Sequence, residues 1–134
     1  MSNLKNHKEF YFSIQKVYNP HFQEDIIFDI QGWNHILKQG NGANRELKEL
    51  EPRLEILYLI PTLLSKNISP QEYSDRIYNK SFEVEFYSFI YAIRQENGQE
   101  FRLKIVIRQK TGKPKQFYSV IKMKHKHFQN KETP

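Results

Sequence analysis

The chain has 134 residues, 38% hydrophobic and 14% aromatic, enough for one domain with a packed core. It contains no cysteine, which excludes disulfides and thiolate metal sites. No apolar run approaches the roughly 18–20 residues that span a bilayer, so a cytoplasmic protein without a membrane partner is expected. The net charge of +6 is concentrated at one end: Phe101 to Pro134 carries ten of the 21 Lys/Arg and one of the 15 Asp/Glu, a field suited to a polyanion such as RNA.

Residues 1–8 read as a frayed polar leader, without the apolar segment of a signal peptide. Phe10 to Val17 is aromatic and β-branched and predicts a strand or extended edge. After Asn19-Pro20, the residues Ile26, Ile27, Ile30, Trp33, Ile36 and Leu37 recur at the spacing of one helical face. They predict a helix over Ile26 to Gln39, ended by Gly40-Asn41-Gly42. A second helix is predicted from an Asn44 N-cap through Leu47, Leu50, Leu54, Leu57 and Leu64, kinked at Pro52. Asn67 to Lys80 reads as a loop. From Ser81 the hydrophobic period falls to two, giving strands at Phe82–Arg94, Phe101–Gln109 and Gln116–Lys124, with turns at Asn97-Gly98 and Thr111–Pro114. Helices followed by an antiparallel meander make an α+β domain over residues 1–128, with residues 129–134 as a disordered tail.

A two-residue turn at Asn97-Gly98 pairs Glu96 with Gln99. Tyr91 then faces Lys104, Phe89 faces Val106 and Tyr87 faces Arg108. One side of the ribbon is aliphatic and is roofed by helices. The other interleaves Tyr87, Phe89 and Tyr91 with Arg102, Lys104 and Arg108, so that rings could stack on bases while cations hold phosphates. The same pattern also suits a solvent-facing sheet with cross-strand cation–π contacts. The last strand has two registers. One puts Phe117 and Ser119 on the basic face. The other puts Tyr118, Lys122 and Lys124 there and sends Phe117, Ile121 and Met123 to the core; burial favours this second register, and a bulge can deliver Ser119 as well.

His35 stands at the border of its helix's buried stripe. A histidine titrating near about 6.5 can take a proton from a ribose 2′-hydroxyl or give one to a 5′-oxygen leaving group. Arg and Lys can stabilise the phosphorane, and RNA brings its own nucleophile, so this chemistry requires neither metal nor cofactor. Glu83 and Glu85 are expected to pair with Lys110 across strands, and His125 and His127 to belong to a solvated tail.

The order His35-Ile36-Leu37-Lys38, then Arg45 or Arg53, a Leu/Ile-rich helix ending at Ile60-Pro61, and a hydrophobic meander resembles the barnase–EndoU–colicin E5/D–RelE superfamily, closest to its phage-associated branches. The resemblance spans roughly Phe28 to Lys122. It implies helices packed on one face of a four-stranded antiparallel sheet. It also implies a metal-independent endoribonuclease of toxin or phage-effector type, restrained by an acidic antitoxin or immunity protein. His35, Arg53, Arg108 and Ser119 would be its catalytic residues, and Tyr87, Tyr91, Arg102, Lys104, Tyr118 and Lys122 its RNA-binding ones. The rival reading is a non-catalytic nucleic-acid-binding module using the same sheet face.

Overall fold

A computed structural model describes residues 4–39, 41–79 and 82–123. Its helices are α1 (Leu4–Ile14), α2 (Ile30–Leu37), α3 (Leu47–Glu55) and α4 (Ile60–Leu64), with a 3-10 turn at Ile56–Leu59 joining the last two. The strands are β1 (Lys16–Asn19), β2 (Glu24–Ile27), β3 (Glu72–Asn79), β4 (Phe82–Arg94), β5 (Glu100–Lys110) and β6 (Gln116–Met123). The α+β class is as expected, but the sheet is not four-stranded and antiparallel. Among the described residues it has six strands in the order β1-β2-β6-β5-β4-β3, with β2 parallel to β6.

The two added strands at the β1 end arise from segments whose composition is ambiguous. Of the predicted strand Phe10–Val17 only Lys16 and Val17 are extended, in β1; Phe10–Ile14 is helical, with His7, Phe10, Tyr11 and Ile14 on one face and Tyr11 fully buried. The helix ends at Gln15, whose φ of 61° breaks the right-handed run. Ile26 and Ile27 belong to β2, and α2 begins only after Asp29, whose carboxylate accepts from the Gln31 and Gly32 amides at 3.1 and 3.3 Å. Buried Asn19 ties the β1–β2 hairpin to α4 by donating to the Leu64 carbonyl at 2.7 Å. The second helix starts at Leu47 rather than at Asn44. Pro52 lies within α3, and the helical run loosens into the 3-10 turn at Ile56, four residues later. The predicted loop 67–80 contains β3, a polar edge strand on β4. Lys124, His125, His127 and the 129–134 tail lie outside the described residues.

The β4–β5 turn corrects the predicted faces. Arg94 pairs with Glu100, not Glu96 with Gln99. The Gln95 amide donates to the Gln99 carbonyl at 2.8 Å and the Gly98 amide to the Gln95 carbonyl at 3.0 Å; Gly98 has a φ of +85°. This is a three-residue loop with glycine at the bulge position, whereas a type I′ turn would need Asn97 at positive φ as well. The register therefore slips by one residue and β4 turns over. Phe89, Tyr91, Leu103, Ile105 and Ile107 form the core under the helices, and Tyr87, opposite Ile107, packs against its border. Phe86, Ser88, Ile90 and Ala92 share the open face with Arg102, Lys104, Val106 and Arg108. β4 carries large apolar residues on both alternating sets, so burial alone does not choose its face; the turn does.

Pairing along β6 shifts between Val106↔Ser119 and Ile107↔Phe117, leaving Tyr118 as a bulge residue. Phe117 is fully buried, and Ser119, itself largely buried, is paired with Val106 on the other face. Ile121 and Met123, expected in the core, instead lie opposite Lys104 and Arg102. Beyond Gln116, α2 and α3 pack along β6. Gly32 permits this approach: a Cβ there would stand 2.8 Å from the Phe117 ring and against the Tyr11 hydroxyl. Gly32→Ala should cost about 1–3 kcal/mol through overpacking, read as a lowered urea midpoint with unchanged m-value.

Candidate active site

Trp33 and Ile36 anchor α2 in the core, which leaves His35 half-buried beside β6. Its ring lies 4.2 Å from that of Tyr118, centroid to centroid. The Arg108 guanidinium sits 4.6 Å from the same Tyr118 ring, and Phe86 meets it edge-on at 5.4 Å. Arg108 is held by Gln116, whose amide oxygen accepts from Nε at 2.9 Å, and by the side-chain oxygen of Gln31. Both partners are neutral amides, so the hydrogen bonds orient the guanidinium without cancelling its charge.

Arg53 reaches from α3 to donate to the Val120 carbonyl of β6. Burial, and then the neighbouring Arg45, lowers its pKa to about 10, which still leaves it cationic at neutral pH. Arg45 plays a different part. Its Nε donates to the Ile36 carbonyl at 3.0 Å, one terminal nitrogen to the His35 carbonyl at 3.1 Å, and the other stands 3.8 Å from Glu49. Two of its nitrogens thus close the C-terminal end of α2, and the third ties that end to α3.

His35 is held below its ordinary pKa, first by burial and then by the charges of Arg45, Arg53 and Arg108. Its Nδ1 is enclosed, with no hydrogen-bond partner among the described residues, and the residue lines an open groove. Ser119 and Lys104 line that groove together with His35 and Tyr118. Lys104 is not an isolated cation, because Glu72 of β3 lies 2.7 Å from its ammonium.

His35, Arg53, Arg108, Ser119, Tyr118 and Lys104 thus gather around one stretch of β6. Arg102 shares their face but sits farther along, opposite Met123. Lys122 is opposite Leu103, its ammonium 4.6 Å from the Phe101 ring, and shares a separate hollow with Lys48 and Arg53. Tyr87 and Tyr91 are corrections: both point to the helix-covered side, as the turned-over β4 requires. Glu85 lies on that side as well and accepts from the Tyr73 and Tyr87 hydroxyls at 3.0 and 2.9 Å, while Lys110 pairs with Val84 on the open face. Gln31 and Glu72 went unread, and Phe86 falls on the aliphatic, helix-covered side in the predicted register. The Asp29 cap was the available signal for Gln31, whereas Phe86 needed the true turn and Glu72 an edge strand that its polar sequence conceals. No helix among the described residues is long and apolar enough to cross a membrane.

No protein-family model matches this chain, and neither a curated protein nor a solved structure matches it.

Proposed function

We propose that the chain is a metal-independent endoribonuclease of toxin or phage-effector type that cleaves RNA by attack of its own 2′-hydroxyl. The observation that carries this reading is the grouping of His35 with Tyr118, Arg108 and bulge-delivered Ser119 along one stretch of β6, with Arg53 close enough for its charge to act on the histidine. A lowered histidine pKa keeps the imidazole neutral near pH 7, the form that accepts a proton. His35 takes the proton of the 2′-hydroxyl as O2′ forms its bond to phosphorus. The P–O5′ bond breaks, the 5′-oxygen takes a proton from solvent water, His35 returns its own to solvent, and the products are a 2′,3′-cyclic phosphate and a 5′-hydroxyl. Arg108 and Arg53 stabilise the charge that grows on the non-bridging oxygens, and the Ser119 hydroxyl or the Tyr118 phenol positions the phosphate.

The non-catalytic module draws less support from the geometry. Its stacking platform was Tyr87, Phe89 and Tyr91, and these lie on the other face of the sheet from Arg102, Lys104 and Arg108. An acidic antitoxin or immunity protein is part of the proposal through the family resemblance. Arg108→Ala should slow RNA cleavage by about 10²-fold while leaving the unfolding midpoint near wild type, because the guanidinium's partners are exposed or half-buried amides that water can satisfy. A fluorogenic RNA assay beside a urea melt reads both. Unchanged cleavage would remove Arg108 from the mechanism.

A further inference from the structure

Two depressions meet at the His35–Tyr118 contact, and they differ in chemistry. One, of about 530 Å³, is lined by apolar Phe86, Val106 and Ile121 together with Ser88 and Ser119. Its charged groups, Glu72 and Lys104, oppose each other at 2.7 Å, so it offers an adjacent acceptor and donor rather than net charge. The other, of about 420 Å³, is lined by Lys38, Arg108 and Lys110, and none of its described lining residues is acidic. An apolar lining with a few polar groups suits a nucleobase, whose edge carries both donors and acceptors. A run of cations without carboxylates suits successive phosphates.

We infer that this groove selects single-stranded RNA: one unpaired nucleobase enters the Phe86–Val106–Ile121 chamber next to His35, and the adjoining phosphates run over Lys38, Arg108 and Lys110. The inference rests on the reading of the His35 groove as an RNA site and adds strandedness and the direction in which base and backbone part. A base-paired nucleotide cannot occupy the chamber, because its edge and both faces are already taken within the helix. Lys38 belongs to the loop after α2, and β5 serves both parts, lining the base chamber with Lys104 and Val106 and the phosphate arm with Arg108 and Lys110.

The test uses the full chain and a labelled 2′-fluoro hexamer, which binds without a 2′-hydroxyl to cut. Each base is replaced in turn by an abasic sugar and binding is followed by anisotropy. One position should lose affinity by about 5- to 100-fold, the range of a single base contact, while the others change little. Annealing the hexamer to its complement should weaken binding at least as much. Lys38→Ala and Lys110→Ala should each lower the slope of log K against log salt by about 0.7 without altering the abasic profile. Six neutral abasic positions, or a duplex bound as tightly as the single strand, would overturn the inference even where RNA is cut. One sensitive position in a protein that never cuts RNA would uphold the chamber and discard the ribonuclease.

Discussion

The His35→Gln chain should cleave RNA about 10²- to 10⁴-fold more slowly than wild type and bind it with similar affinity. Glutamine keeps much of the ring's volume and hydrogen-bonding capacity but cannot accept the proton from O2′. The pH profile separates this role from a merely structural one. Burial and three guanidinium charges hold His35 below its usual pKa. A general base must be unprotonated, so wild-type kcat/KM should rise with pH through a value below about 6.5 and level off near neutrality. That rise should vanish from the residual activity of His35→Gln. A variant that cuts at the wild-type rate, or that keeps the same acidic limb, would take the proton transfer away from His35.

Phe117→Ala should destabilise the fold by about 3–5 kcal/mol, a large share of the roughly 5–15 kcal/mol available to a domain of this size. The Phe117 ring is fully buried, stacked on Phe28 at 5.1 Å and tilted against Tyr11 at 6.0 Å. It also forms the floor on which Gly32 brings α2 down. The loss should appear as a lowered urea midpoint and as weakened RNA cleavage, since α2 carries His35. Tyr118→Ala, one residue along, should destabilise much less, because the bulge sends that side chain to the half-exposed groove. Equal losses at the two positions would contradict the bulge.

The three C-terminal strands were legible because a period of two, Asn97-Gly98 and Gly112 mark them without competition; β4 runs over the predicted Phe82–Arg94. Their faces were less legible. A loop longer by one residue exchanges every side chain of β4, and its mixed aromatic and aliphatic content supplies no check. β1, β2 and β3 were hidden because four-residue strands give too little alternation to read, and because an edge strand keeps polar residues on both faces. His35 and Arg108 were found from residue type and helical or strand position. Their meeting over Tyr118 depended on a bulge that sequence could only allow, and on Gln31, whose part is set by packing between α2 and β6.

The most direct test of the central claim is the chemistry of the cut ends. The protein is incubated in chelator with a single-stranded RNA and with the same strand 2′-deoxygenated at the cleavage site, and the products are resolved by mass. Fragments ending in 2′,3′-cyclic phosphate and beginning with 5′-hydroxyl, from the ribose strand alone, are the predicted result. Ends bearing 3′-hydroxyl and 5′-phosphate, cutting of the deoxy strand, or no cut in either would contradict it.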